Sequence, residues 1–119
     1  MKSVLIIDGS DAIATLFSES FGRQGWELAF CEDQDSALNR LVSVEHYDVV
    51  ILGYSVSDMA AVRLVRFIRA LEHRKTTAVV MMTGSAEVTN QAIAAGADEV
   101  LPKPITPNAL MSAVDKHAS

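Results

Sequence analysis

The sequence predicts an α/β fold, a five-stranded parallel sheet with helices on both faces. Three observations predict it. Five short apolar runs recur along the chain. Most of them lack polar alternation, as strands do when both of their faces are covered. Between successive runs lies a segment of helical periodicity, and a strand–helix pattern repeated in this way needs right-handed crossovers and builds three layers.

The first strand is read at Ser3–Ile7. Ile13, Phe17, Ser20 and Phe21 mark one face of the first helix, and Gly25 ends it in a left-handed cap. Glu27–Cys31 is the second strand. The second helix opens at Asp33 or Asp35 and buries Leu38, Leu41 and Val42. Val49–Leu52 follows as the third strand, and Leu64, Val65, Ile68 and Leu71 form the inner stripe of the third helix. Ala78–Met82 is the fourth strand. Ser85 caps a fourth helix that turns Val88, Ala92 and Ile93 inward and closes at Gly96. Glu99–Leu101 is the fifth strand. Thr106 and Pro107 then combine a hydroxyl cap with a proline at the first helical position, ahead of a buried stripe of Leu110, Met111 and Val114.

The 119 residues read as one domain, spanning 1–119, with no linker or second unit inside it. Hydrophobic residues make up 50% and charged residues 21%, a globular and not a disordered composition. A net charge of -5 argues against a direct nucleic-acid surface, which needs clustered Lys and Arg. The apolar runs are too short to span a bilayer, and no signal peptide is recognisable. One cysteine, Cys31, excludes an internal disulfide and a cysteine-based zinc site. The expected location is cytoplasmic. His46, His73 and His117 are scattered without ligand spacing, and Arg63, Arg66, Arg69 and Lys75 read as a solvated face.

Ligands of open parallel sheets gather at the carboxyl ends of the strands. The chain places Asp8, Gly9, Ser10 and Asp11 there after the first strand, and Gly53, Tyr54 and Ser55 after the third. Thr83, Gly84 and Ser85 follow the fourth strand, and Pro102, Lys103 and Pro104 the fifth.

With these residues the sequence resembles the receiver domain of bacterial response regulators, from Ser3 to about Val114. The resemblance is carried by Val4-Leu5-Ile6-Ile7-Asp8, by Tyr47-Asp48-Val49-Val50-Ile51-Leu52, and by Met59 with the Arg66 to Arg69 stretch. Met82-Thr83-Gly84, Ala95-Gly96-Ala97-Asp98 and Lys103-Pro104 complete it. It implies a flavodoxin-like sheet of strand order 2-1-3-4-5 and a cis peptide before Pro104. It also implies a site in which an aspartate ending the third strand accepts a phosphoryl group beside Mg²⁺. An acidic pair after the first strand shares the metal, and a hydroxyl residue and a lysine contact the phosphoryl oxygens. Metal and ammonium act by neutralising charge as the group transfers.

Carried over by position, Asp8 matches the first acid, Thr83 the hydroxyl residue and Lys103 the lysine. Gly9 stands where the second acid belongs, and Gly53 stands where the acceptor belongs. Val100 replaces the aromatic residue at the switch position, while Ser57, Ala60 and Ala61 replace the proline, aspartate and glycine of the loop before the third helix. The expectation is a degenerate receiver, or pseudo-receiver. It would be a non-enzymatic, phosphorylation-independent module of two-component phosphorelay signalling. A protein partner or a second copy would bind through the fourth helix, fifth strand and fifth helix.

No cofactor is expected, and Mg²⁺ binding should be weak or absent, with Asp8 and Asp11 the candidates for a cation. Against that stands a structural reading in which Asp8 pairs with Lys103 while Ser10 or Asp11 caps the first helix. Thr83 either meets a phosphate or satisfies local backbone. Two alternative functions remain open at this level. One is a small-anion or ligand site in the vacated pocket. The other is a phosphoreceiver using a different aspartate, for which Asp48 lies at the wrong end of its strand and Asp58 reads as a helix cap.

Overall fold

A computed structural model describes residues 2–53 and 57–117, with the side chains of residues 11–14 outside that description. Ile13 and the Asp11 side chain, and the Tyr54 and Ser55 of the third strand's exit, therefore lie outside the described residues. The order is β1 (Ser3–Ile7), α1 (Asp11–Arg23), β2 (Glu27–Cys31), α2 (Gln34–Val42), β3 (Val49–Leu52) and α3 (Asp58–Ala70). A short 3₁₀ turn at Glu72–Arg74 leads to β4 (Ala78–Thr83), α4 (Ala86–Ala95), β5 (Glu99–Pro102) and α5 (Pro107–His117). The five strands pair in parallel in the order β2-β1-β3-β4-β5.

Burial explains the apolar runs. Every residue of β1, β3 and β4 is buried, because each lies inside the sheet and under helices on both faces. β2 and β5 are the sheet edges and are only partly covered, so the reading of both-faced burial holds for the three inner strands alone. Leu5, Ile7, Val50, Leu52, Val79 and Met81 pack one face against α2, α3 and α4, while Val4, Ile6, Val49, Ile51, Val80 and Met82 pack the other against α1 and α5. Cys31 is buried within the first of these layers, and burial pushes its thiol up from the usual range.

The helix ends obey local chemistry. Gly25 sits at φ 77°, where the Trp26 N–H donates to Phe21 O and the Gly25 N–H to Gly22 O. This doubly bonded terminus brings Trp26 edge-on against Phe21, with ring centroids 5.3 Å apart. Asp33 caps α2, accepting the Ser36 N–H at 2.8 Å, and Ser85 caps α4, accepting the Val88 N–H. Thr106 Oγ1 accepts the Ala109 N–H at 3.1 Å and starts α5. Gly96 closes α4 at φ 117°.

Three side-chain expectations are corrected. Val42 lies on α2 but is 53% exposed, because Ala37 and Leu41 supply that helix's buried contacts. Ile93 is 56% exposed, since the buried position of α4 is Ala92 one residue earlier. Asp58 does not cap α3: Ser57 does, accepting the Ala60 N–H at 3.3 Å, and Asp58 is the first helical residue, in a turn whose free N–H groups favour a negative charge.

Candidate functional site at the strand ends

The sheet register brings the carboxyl ends of β1, β3, β4 and β5 side by side. Ile7 pairs with Leu52, Leu52 with Met81, and Thr83 with Pro102. Asp8, Gly53, Thr83 and Lys103 therefore emerge along one rim. Asp8 is only 3% exposed and Gly53 is also buried. The Asp8 N–H donates to Cys31 O at 2.9 Å, and the Gly53 N–H donates to Ile7 O at 2.8 Å, so the end of β1 is held between its two neighbours. Asp8 Oδ1 accepts the Ser10 N–H at 2.8 Å.

Thr83 belongs to β4 itself, and its hydroxyl is used locally. Oγ1 accepts the Ser85 N–H at 3.1 Å, which sets the exit from β4 two residues before Ser85, the cap of α4. The carbonyl of Thr83 accepts the Lys103 N–H at 2.9 Å, so β4 carries the turn in which Lys103 stands. The Lys103–Pro104 peptide is cis. Gly9 is exposed, Lys103 half-buried, and Val100 half-buried against the core layer beneath α3 and α4.

The opposite end of the sheet holds residues that the sequence did not mark. Arg74 is 1% exposed. Its Nε donates to Leu41 O at 3.1 Å and its Nη2 to Arg40 O and Ser43 O, so it closes the C-terminus of α2. Its guanidinium lies 4.9 Å from the Tyr47 ring centre, and burial lowers its pKa from the usual value. Arg69, expected in solvent, instead donates to Gly96 O, Arg74 O and Thr77 O and pairs with Asp98 at 2.8 Å. Arg63 and Arg66 are exposed as expected.

The three histidines, unrelated in spacing, line one cleft of about 330 Å³ with Asp48, Thr76 and Thr77. His46 Nε2 lies 3.1 Å from Asp48 Oδ1, His73 Nε2 2.9 Å from Ser43 O, and His117 Nε2 2.9 Å from Glu99 Oε1. Burial alone would raise the Asp48 carboxyl, but the Ser3 N–H, His46 and Lys2 outweigh it and hold it below the usual range. Asp48 is thus a fastener between β1 and β3 at the end remote from Gly53, as its place in the sequence implied.

Rim residues, sheet order and strand ends together describe a known architecture. The family profile of the response regulator receiver domain matches residues 4–115. The chain belongs to that family. Curated relatives of the receiver include the regulatory protein AtoC of Escherichia coli K12, 28% identical over 106 residues, and the alkaline phosphatase synthesis regulator PhoP of Bacillus subtilis, 22% identical over 108. These alignments cover 87% and 89% of this chain but 22% and 44% of the relatives. The chain thus spans less than half the length of either. Among solved structures, the chemotaxis protein CheY4 of Vibrio cholerae superposes with a TM-score of 0.86 at 27% identity, over 98% of each chain. A CheY-like receiver from Methanospirillum hungatei reaches 0.87 at 23%, over 99% of this chain and 94% of its own, a likeness of fold. Among the described residues, no helix of the receiver is long and apolar enough to cross a membrane.

Proposed function

We propose that this receiver is a pseudo-receiver. It works as a phosphorylation-independent protein-interaction module of two-component signalling and catalyses no reaction. One observation carries the reading: the residue that follows β3 at the rim, in the place the resemblance gives to the acceptor, is Gly53, which has no side-chain oxygen to take a phosphoryl group. The alternative acids are badly placed. Asp48 is bonded to the Ser3 N–H at the far end of β3, and Asp58 is in the first turn of α3.

Mg²⁺ does not fit the residues present. Gly9 and Gly53 supply no carboxylate, and among the described residues no three His, Cys, Asp or Glu side chains group to hold an ion. Magnesium prefers six close oxygens and dehydrates reluctantly, so binding should be weak or absent. A small-anion site in the vacated pocket is disfavoured by the Asp8 carboxylate, which lies against the space a side chain at Gly53 would enter.

The expected output is recognition through α4, β5 and α5, by a protein partner or a second copy, in the cytoplasm. Ile93 is 56% exposed on α4 beside exposed Ala94, giving that surface an apolar point of contact. The test is incubation with acetyl phosphate and Mg²⁺ followed by intact mass, together with sedimentation or pull-down of Ala94→Glu. No mass gain is expected, and Ala94→Glu should lose its contact while staying folded. A stoichiometric gain of one phosphoryl group, removed by mutating an aspartate, would sink the pseudo-receiver reading.

A further inference from the structure

Gly53 is explained by space and not by backbone conformation. The described glycines with positive φ are Gly25 and Gly96 only, so Gly53 has a φ that any residue can adopt. A Cβ built on Gly53 would nevertheless lie 2.7 Å from Asp8 Cβ and 2.8 Å from Asp8 Cγ, and would also run into Oδ2. By contrast, a Cβ on Gly22 or Gly84 meets no atom within 4 Å.

The identity of the clashing atoms decides what can relieve it. A rotation about χ1 of Asp8 carries away Cγ and the carboxylate but leaves Cβ where it is. Only a backbone shift separates the two Cβ positions, and the backbone is held on both sides. The Gly53 N–H is bonded to Ile7 O at 2.8 Å, and the Asp8 N–H to Cys31 O at 2.9 Å. The Ser10 N–H on Oδ1 further fixes the carboxylate.

We infer that Asp8 and a side chain at position 53 exclude one another, so that Asp8 itself closes the acceptor position. The resemblance to receivers implies two acids side by side at these strand ends; in this chain the space admits one. The proposal rests on the pseudo-receiver reading for its functional meaning and sharpens it. Restoring the missing acids, Gly53→Asp with Gly9→Asp, does not rebuild a working acceptor, because residue 8 already fills the place. Admitting a side chain at 53 requires residue 8 to give up its own Cβ, and with it the first acid of the pair.

The experiment measures the effect of Gly53→Ala on melting temperature in three backgrounds: wild type, Asp8→Ala and Asp8→Gly. Overpacking of this kind should lower the midpoint by roughly 5–10 °C in the wild type. The loss should persist with Asp8→Ala, which keeps the Cβ, and largely vanish with Asp8→Gly, which removes it. Gly84→Ala, into open space, should show no such loss. A Gly53→Ala variant that folds only in the Asp8→Gly background counts as support. No loss in the wild type, or the same loss in all three backgrounds, overturns the proposal. A second measurement treats Gly9→Asp/Gly53→Asp with acetyl phosphate and Mg²⁺ and records intact mass, and it decides alone where Asp8→Gly does not fold. No gain is expected. A gain overturns the closure by Asp8 while leaving the wild-type domain unphosphorylated and the pseudo-receiver reading standing.

Discussion

The two ends of the sheet use their polar side chains differently. At the amino ends of the strands, Arg69 and Arg74 donate to backbone carbonyls of α2, of the turn before β4 and of the α4–β5 connection. At the carboxyl ends, Asp8 Oδ1 accepts the Ser10 N–H and Thr83 Oγ1 the Ser85 N–H, each from two residues along the chain, and two of the rim positions are glycines. The first end ties distant segments together through guanidinium groups, whereas these two bonds at the second end shape local turns. Among the described residues, the buried guanidinium of Arg74 lies at the first, and its bonds point to that end as an anchor of the fold.

The comparison is broken most severely at Arg74. Arg74→Ala should cost about 3 kcal/mol or more, because the α2 carbonyls it serves lose their donor and a buried space opens beneath Tyr47. Urea denaturation measures this, and a loss under about 1 kcal/mol would mean that the amino end is no anchor. At the carboxyl end, Thr83→Val should cost only about 1 kcal/mol, since one local bond to the Ser85 N–H is removed from a buried but nearly isosteric site. A larger cost at Thr83 than at Arg74 would reverse the comparison.

The smallest effect concerns acid. His117, at the end of α5, holds the Glu99 carboxyl below its usual range against a smaller upward push from burial, with Lys116 assisting. A depressed carboxylate contributes stability that is present in full above its ordinary value of 4.5 and is lost as pH falls through the depressed one. Unfolding midpoints followed from about pH 6 to pH 3 should therefore fall less steeply for Glu99→Gln than for the wild type. Equal slopes would show that the Glu99–His117 contact is not linked to folding.

Much of the architecture was legible because it rests on local signals. Ser85, Thr106 and Asp33 cap helices through an N–H three residues away, and Gly25 and Gly96 mark helix ends by a backbone conformation that costs other residues energy. The rim residues were legible for a different reason. Each follows an apolar run, so finding the strands also located Asp8, Gly53, Thr83 and Lys103. Ile93 and Val42 were misplaced because a helical stripe is blurred where alanine supplies the buried contact, as Ala92 and Ala37 do here.

The sequence by itself determined where the strands lie, most of the helix ends and the absence of a side-chain oxygen at position 53, since each depends on residue type and near neighbours. Only the tertiary structure decided that Arg74 is interior, that three unrelated histidines share a cleft, and that Gly53 meets Asp8. Each of those partnerships joins segments far apart in the chain. Arg74 reaches carbonyls at Arg40, Leu41 and Ser43, and the Gly53–Asp8 approach spans two strands. No periodicity or spacing encodes such distances. They arise when the parallel sheet sets the strands side by side and fixes how much room is left between their ends.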